Sequence, residues 1–187
     1  MPISLQPPCR MKPPTKIEPP YRYFIAVLQY YFDRGLPVKK PALLSKMAAP
    51  GRTGFIGLGA MGYPMAGHIH KHTMSVCGQP CMVWNRTAAT AQCHAAEHGT
   101  EPAASLARLS AECSVVVMCL PTSAEVATVM ETLVNEGCTG KCLVDCTSGD
   151  PQQTQALALA AERAGHELVD APVSGGPAGA TAGTLAV

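Results

Sequence analysis

Gly54-Phe55-Ile56-Gly57-Leu58-Gly59-Ala60-Met61-Gly62 is the stretch that decides the fold of this 187-residue chain. Phe55-Ile56 reads as the end of a short apolar strand, and a helical pattern follows the third glycine. Three glycines at this spacing carry little weight alone. Between a strand and a helix they gain meaning: the first permits a tight turn, the second lets a diphosphate approach the backbone, and the third lets helix and strand pack closely. The helix start then offers free N–H groups and the positive end of its dipole to an anion. Gly57, Leu58, Gly59, Ala60, Met61 and Gly62 are therefore the candidate seat of a dinucleotide's pyrophosphate.

Beyond this loop, short apolar strands alternate with helical stretches, the signature of a parallel sheet covered on both faces. Strands are expected near Gly54–Gly57, Met82–Trp84, Ser114–Cys119, Lys141–Asp145 and Glu167–Asp170, with a very short one around Thr100. Helices are expected over Met61–His72, Ala88–His98, Ser105–Glu112, Ser123–Asn135 and Pro151–Ala164. The last has a full set of local signals, with Asp150 as N-cap, Pro151 at the first helical position and Gly165 as the stop. The fold class is α/β, a Rossmann-type doubly wound parallel sheet over residues 51–187. A composition of 47% hydrophobic and 14% charged residues suits one such core plus an appendage.

That appendage is residues 1–50, which hold ten of the 17 prolines. Proline fixes φ and removes a backbone donor, so an extended, disordered leader is expected, with a polyproline ligand as the other reading. The leader is basic and acid-poor like an organelle transit peptide, although its prolines oppose an amphipathic helix. Synthesis beginning at Met47 is an equal alternative. The location is accordingly cytoplasmic, or mitochondrial or plastid if residues 1–46 are a transit peptide.

The formal charge of +1 conceals an asymmetry: residues 1–50 carry eight Lys/Arg against two acids, and the remainder carries six against eleven. An acidic globular part lacks the basic footprint that nucleic acid needs, so that partner class is excluded. No apolar run is long enough to span a membrane. Of the nine cysteines, Cys119, Cys142 and Cys146 sit in apolar runs and read as small hydrophobes. Cysteine spacings do not suit a zinc site, and His68, His70 and His72 read as solvated surface histidines with no third ligand.

Cofactor choice turns on the end of the second strand, where an acid normally binds the adenosine ribose of NAD about 20 residues after the glycines. Here Met82-Val83-Trp84 runs into Asn85-Arg86-Thr87. With no acid to repel a 2′-phosphate, and a guanidinium and a hydroxyl able to bind one, NADP is expected rather than NAD.

These residues resemble the β-hydroxyacid dehydrogenase family, that of 3-hydroxyisobutyrate dehydrogenase and the glyoxylate/succinic semialdehyde reductases, with 6-phosphogluconate dehydrogenase more distant. The resemblance runs from about Thr53 to Val187, and relative to the family a loop insertion is expected at Ser75-Val76-Cys77-Gly78-Gln79-Pro80. Gly54 to Ala66 resembles the family's cofactor signature, and Trp84-Asn85-Arg86-Thr87 resembles its NADP-preferring branch. Leu120-Pro121-Thr122 is similar to the loop beside the nicotinamide ribose, and Ser148 in Asp145-Cys146-Thr147-Ser148-Gly149-Asp150-Pro151 takes the hydroxyl position of a second cofactor-facing loop. Asp170 to Ala180 resembles the substrate signature, in which Ser174, Gly175 and Gly176 would anchor a carboxylate. Small residues exposing N–H groups beside a hydroxyl suit that anion.

The resemblance implies an oxidoreductase that moves a hydride between NADP(H) and a small β-hydroxyacid or aldehyde acid, homo-oligomeric when full-length. It also implies a general acid/base lysine and an all-helical C-terminal domain, both beyond Val187, so no catalytic residue is assigned here. Cofactor binding with little turnover is expected of the chain. Thr184-Leu185-Ala186-Val187 reads as the start of a further strand. A non-catalytic dinucleotide-binding interaction module is the alternative.

Overall fold

The computed structural model describes residues 52–135 and 139–187. The readings placed on the proline-rich leader lie outside the described residues. Six strands form one sheet: β1 (Arg52–Ile56), β2 (Met82–Trp84), β3 (Glu101–Pro102), β4 (Cys113–Met118), β5 (Cys142–Asp145) and β6 (Glu167–Asp170). Their order is β3-β2-β1-β4-β5-β6, and each pairing is parallel. Helices α1 (Gly62–Cys77), α2 (Ala88–His98), α3 (Leu106–Glu112), α4 (Ser123–Asn135), α5 (Pro151–Arg163) and α6 (Gly176–Ala182) connect and follow them.

Strand alternation divides the core in two. Phe55, Val83, Val115, Val117, Cys142 and Val144 face one side, under Ala66 of α1 and Ala91 of α2. Ile56, Met82, Val116, Met118 and Leu143 face the other, under Leu109 of α3, Val126, Met130 and Leu133 of α4 and Ala161 of α5. A central parallel strand must be apolar on both faces, which is why Val115 to Met118 is an unbroken apolar run. Strand order reverses between β1 and β4. In such sheets the crevice at the carboxyl ends of those two strands is where ligands bind.

The opposite edge of the sheet is tied by charges. Arg52 and Arg108 each bridge Glu101 and Glu112. Lys141, just before β5, is buried with its ammonium donating to the carbonyls of Ser110 and Cys113, the latter at 3.1 Å. This lysine therefore lies at the wrong end of the sheet to act on anything bound at the switch point.

Several expectations need correction. The first helix does not end at His72: it continues through Ser75, Val76 and Cys77 to a left-handed Gly78, whose N–H closes on Met74 O at 3.2 Å. Only Gly78 to Pro80 remain of the expected loop insertion. The three histidines of α1 are not a solvated set. His70 is buried and accepts from the Cys81 amide at 3.3 Å, His72 is half-buried, and His68 bonds through Nε2 to the Thr181 carbonyl of α6 at 3.0 Å. The terminal strand is a single antiparallel bridge, Ser174 to Ala186, with Leu185 buried beneath it. Helix α6 itself was unforeseen, because Gly176 and Gly179 lower helix propensity in a segment that reads as a turn.

Candidate functional site

A cleft of about 650 Å³ opens at the carboxyl ends of β1, β2 and β4. Its floor is the glycine loop, whose three glycines meet three different surroundings. Gly57 has φ of +96°, and a Cβ there would lie 2.3 Å from the Cys119 carbonyl oxygen. Gly62 is closed against the loop, since its Cβ would lie 1.9 Å from Gly57 O. Gly59 lines the cleft with ordinary negative φ, and a Cβ there would meet nothing within 4 Å. Neither the fold nor the backbone conformation demands glycine at that point. Open space above a bare backbone is what a closely approaching ligand requires.

In the first turn of helix α1 the Tyr63 amide already donates to the Gly59 carbonyl at 2.9 Å, and Pro64 carries no N–H. Met61 provides no side-chain cap, and the turn contains no acid to offset the helix dipole. The turn is braced from behind by His94, fully buried on α2. Its Nε2 donates to the Tyr63 carbonyl at 3.0 Å, and its Nδ1 accepts from the Thr100 hydroxyl at 2.7 Å. A carbonyl only accepts, which fixes the proton on Nε2.

The β2–α2 loop supplies Asn85, Arg86 and Thr87 to the lining. Asn85 joins two loops: its Oδ1 accepts from the Leu58 amide at 3.0 Å and its Nδ2 donates to Thr87 O at 3.2 Å. The Leu58 amide is thus engaged within the protein. Arg86 and Thr87 are exposed, and Arg86 makes no ion pair among the described residues.

On the β4 side Cys119, Leu120 and Pro121 line the cleft. Burial pushes the Cys119 thiol up to about 11, so this sulfur is an inert wall rather than a nucleophile. The Leu120 amide donates to Thr147 Oγ1 at 3.1 Å, and the Thr147 amide donates to Asp145 Oδ1 at 2.9 Å. Burial raises the Asp145 carboxyl above its usual range, against the pull of these Thr147 hydrogen bonds. Thr147, which sequence reasoning passed over, therefore sets the position of the Leu120 loop.

Thr122 and Ser148 lie outside the lining. The Thr122 hydroxyl caps α4, accepting from the Ala124 amide at 3.2 Å and donating to the Glu125 carboxylate. Ser148 is exposed on the neighbouring loop, which is held to α4 by the Asp150 amide donating to Ser123 Oγ at 2.8 Å. The predicted cap of α5 is present, with Asp150 accepting from the Gln152 amide at 2.8 Å.

Ser174, Gly175 and Gly176 form a separate exposed turn leading into α6, with φ of +135° and +64° at the glycines. The Ser174 amide and carbonyl are both engaged by Ala186 at 2.8 Å. Its hydroxyl has no partner among the described residues. Ala60 and Met61 complete the loop lining, and Trp84, Leu106, Ala124, Glu125, Thr128 and Val129 line the cleft without having been foreseen. Of these, Glu125 had a sequence signal, the capping box Thr122-Ser123-Ala124-Glu125.

The NAD binding domain family of 6-phosphogluconate dehydrogenase matches residues 52–187. The 2-(hydroxymethyl)glutarate dehydrogenase of Eubacterium barkeri is 37% identical over 139 residues, covering 73% of this chain and 44% of its own length. The solved structure of Mycobacterium tuberculosis 3-hydroxyisobutyrate dehydrogenase with L-serine aligns with a TM-score of 0.63 at 30% identity, over 72% of this chain and 44% of that one. A reductive aminase from Aspergillus terreus in complex with NADPH and ethyl levulinate aligns with a TM-score of 0.59 at 29% identity, over 69% of this chain and 43% of that one. The chain thus spans less than half the length of these relatives.

Proposed function

Because this chain belongs to the family of the 6-phosphogluconate dehydrogenase NAD-binding domain, we propose that it is the NADP-binding half of an oxidoreductase acting on a small β-hydroxyacid or aldehyde acid. The observation that carries the reading is the bare Gly59 backbone in the cleft, with Arg86 exposed at the β2 end and no acid following β2. Gly59, Ala60, Met61 and Gly62 would seat the pyrophosphate, with Asn85 holding the loop through Leu58. Arg86 and Thr87 would bind the adenosine 2′-phosphate, an anion that a guanidinium complements in sign and in fork geometry. Leu120, Pro121, Thr122 and Ser148 would border the nicotinamide half. When bound, the nicotinamide supplies the hydride donor or acceptor that the protein itself lacks.

The chain's own part is positional. Residues of β1, β2 and β4 converge on one crevice, and Cys119, Leu120 and Val129 keep part of its wall apolar. Ser174, with a free hydroxyl, and the amides of Gly175 and Gly176 are the candidate anchor for a substrate carboxylate. Proton transfer needs a positioned general acid/base, which the resemblance puts on a lysine after Val187.

The test is Arg86→Ala with dissociation constants for both cofactors. NADPH binding should weaken by about ten- to a hundredfold, the range of a charge-assisted contact, with NADH nearly unchanged. Equal weakening of both would remove the NADP assignment.

A further inference from the structure

The wall of the cleft formed by α4 bears a negative charge, and the same lining carries one cation, Arg86. Glu125 stands in the first turn of α4 and borders the same cleft as Arg86. The residues just before it are tied down, the Ala124 amide donating to the Thr122 hydroxyl and the Asp150 amide of the neighbouring loop donating to the Ser123 hydroxyl. The Glu125 carboxylate receives the Thr122 hydroxyl. That hydrogen bond, together with the backbone amide of Glu125 itself and, more weakly, the charge of Arg86, keeps the carboxyl below its ordinary range, so it is ionised whenever a nucleotide binds near neutral pH. Arg86 has no ion pair of its own among the described residues, and its guanidinium can be shared between this carboxylate and an incoming anion.

We infer that Glu125 is a specificity-determining residue: its charge opposes the phosphate monoester that Arg86 attracts, and so sets how strongly the cleft prefers NADPH to NADH. The inference rests on the NADP reading of the cleft. A 2′-phosphate brings nearly two negative charges to this end of the cleft, whereas a 2′-hydroxyl brings none. Repulsion from Glu125 therefore falls on one cofactor and largely spares the other. With one guanidinium and one carboxylate lining the same cleft, the preference for the phosphorylated cofactor is held to a modest ratio.

The capping box allows this charge to be removed without removing the cap, because glutamine serves as well as glutamate at the fourth position of the motif. Glu125→Gln should therefore fold like the parent chain. Titration of the parent and the variant with NADPH, NADH, 2′,5′-ADP and 5′-ADP should show NADPH and 2′,5′-ADP bound about three- to tenfold more tightly by the variant at low salt, as expected for removing one charge at medium range. NADH and 5′-ADP should change by less than about twofold, and the gain should shrink at about 0.5 M salt, where the Debye length is only about 4 Å. Glu125→Asp, which keeps the charge, should leave the NADPH to NADH ratio near that of the parent. Equal changes for both cofactors, no change, or weaker NADPH binding in Glu125→Gln would overturn the inference while leaving the cofactor site standing. A parent chain that binds neither cofactor would overturn both.

Discussion

Gly59→Ala separates the needs of the fold from the needs of the ligand. In the structure an added methyl at Gly59 meets no atom within 4 Å, and φ there is negative, so the folded state gains no clash and no backbone strain. Alanine also restricts the unfolded chain, which favours the variant by about 0.4–1 kcal/mol. Thermal unfolding should therefore show a melting temperature equal to or slightly above that of the parent. Binding is affected in the opposite sense. The methyl occupies the space through which a diphosphate must reach the loop amides, and losing one hydrogen bond to a charged oxygen costs about 1.5–3 kcal/mol, which is a loss of about ten- to 150-fold in NADPH affinity. Gly62→Ala is the comparison. Its methyl would sit 1.9 Å from Gly57 O and 3.1 Å from a Phe55 ring carbon, so loop and helix must move apart, and a loss of about 1–3 kcal/mol of stability is expected along with the loss of binding. Tryptophan and NADPH fluorescence titrations beside melting curves read both effects. A Gly59→Ala chain that melts like the parent and still binds NADPH within about threefold of it would refute the reasoning.

Thr147→Val keeps shape but removes the acceptor for the Leu120 amide. Urea denaturation should show a loss of about 1–3 kcal/mol, the cost of an orphaned buried donor, with weaker NADPH binding as the Leu120 loop relaxes; unchanged stability would contradict the role given to Thr147. The His94 imidazole is held below the ordinary histidine value of 6.5, chiefly by burial, so the unfolded chain takes up a proton before the folded chain does. Stability attributable to His94 is then complete above about pH 6.5 and declines as pH falls through that value towards the lower folded one. Burial, followed by the charge of His98, shifts His70 in the same direction. Melting temperatures between about pH 7.5 and pH 5.5 should fall with acidification, and should fall less in His94→Gln; a flat or rising profile would contradict the burial of a neutral ring.

The strands were legible because each had to be apolar on both faces. Val115-Val116-Val117-Met118 and Cys142-Leu143-Val144 are such runs, and their bounds fell within a residue of the expected ones. The glycine loop was legible at Gly57 and Gly62, where sterics leave no room for a side chain. What was missed depends on contacts between distant parts of the chain. Helix α1 outlasts its histidines because His70 packs inward against the β2 edge at Cys81 and Gly78 provides the stop. The segment after Ser174 folds as a helix, despite its glycines, because His68 holds Thr181 and Leu185 closes over Gly175 and Gly179. The cleft was half legible. Its loops carry motifs, but the wall from α4 is assembled by packing, and one cleft brings together Glu125 and Arg86, residues 39 positions apart that no local pattern connects.

Calorimetric titration of the folded chain with NADPH and with NADH bears most directly on the crevice between β1 and β4. Saturable one-to-one binding of NADPH, tighter than NADH and lost when Gly59 becomes alanine, is the predicted result. Folded protein that takes up neither nucleotide would contradict the assignment of this cleft.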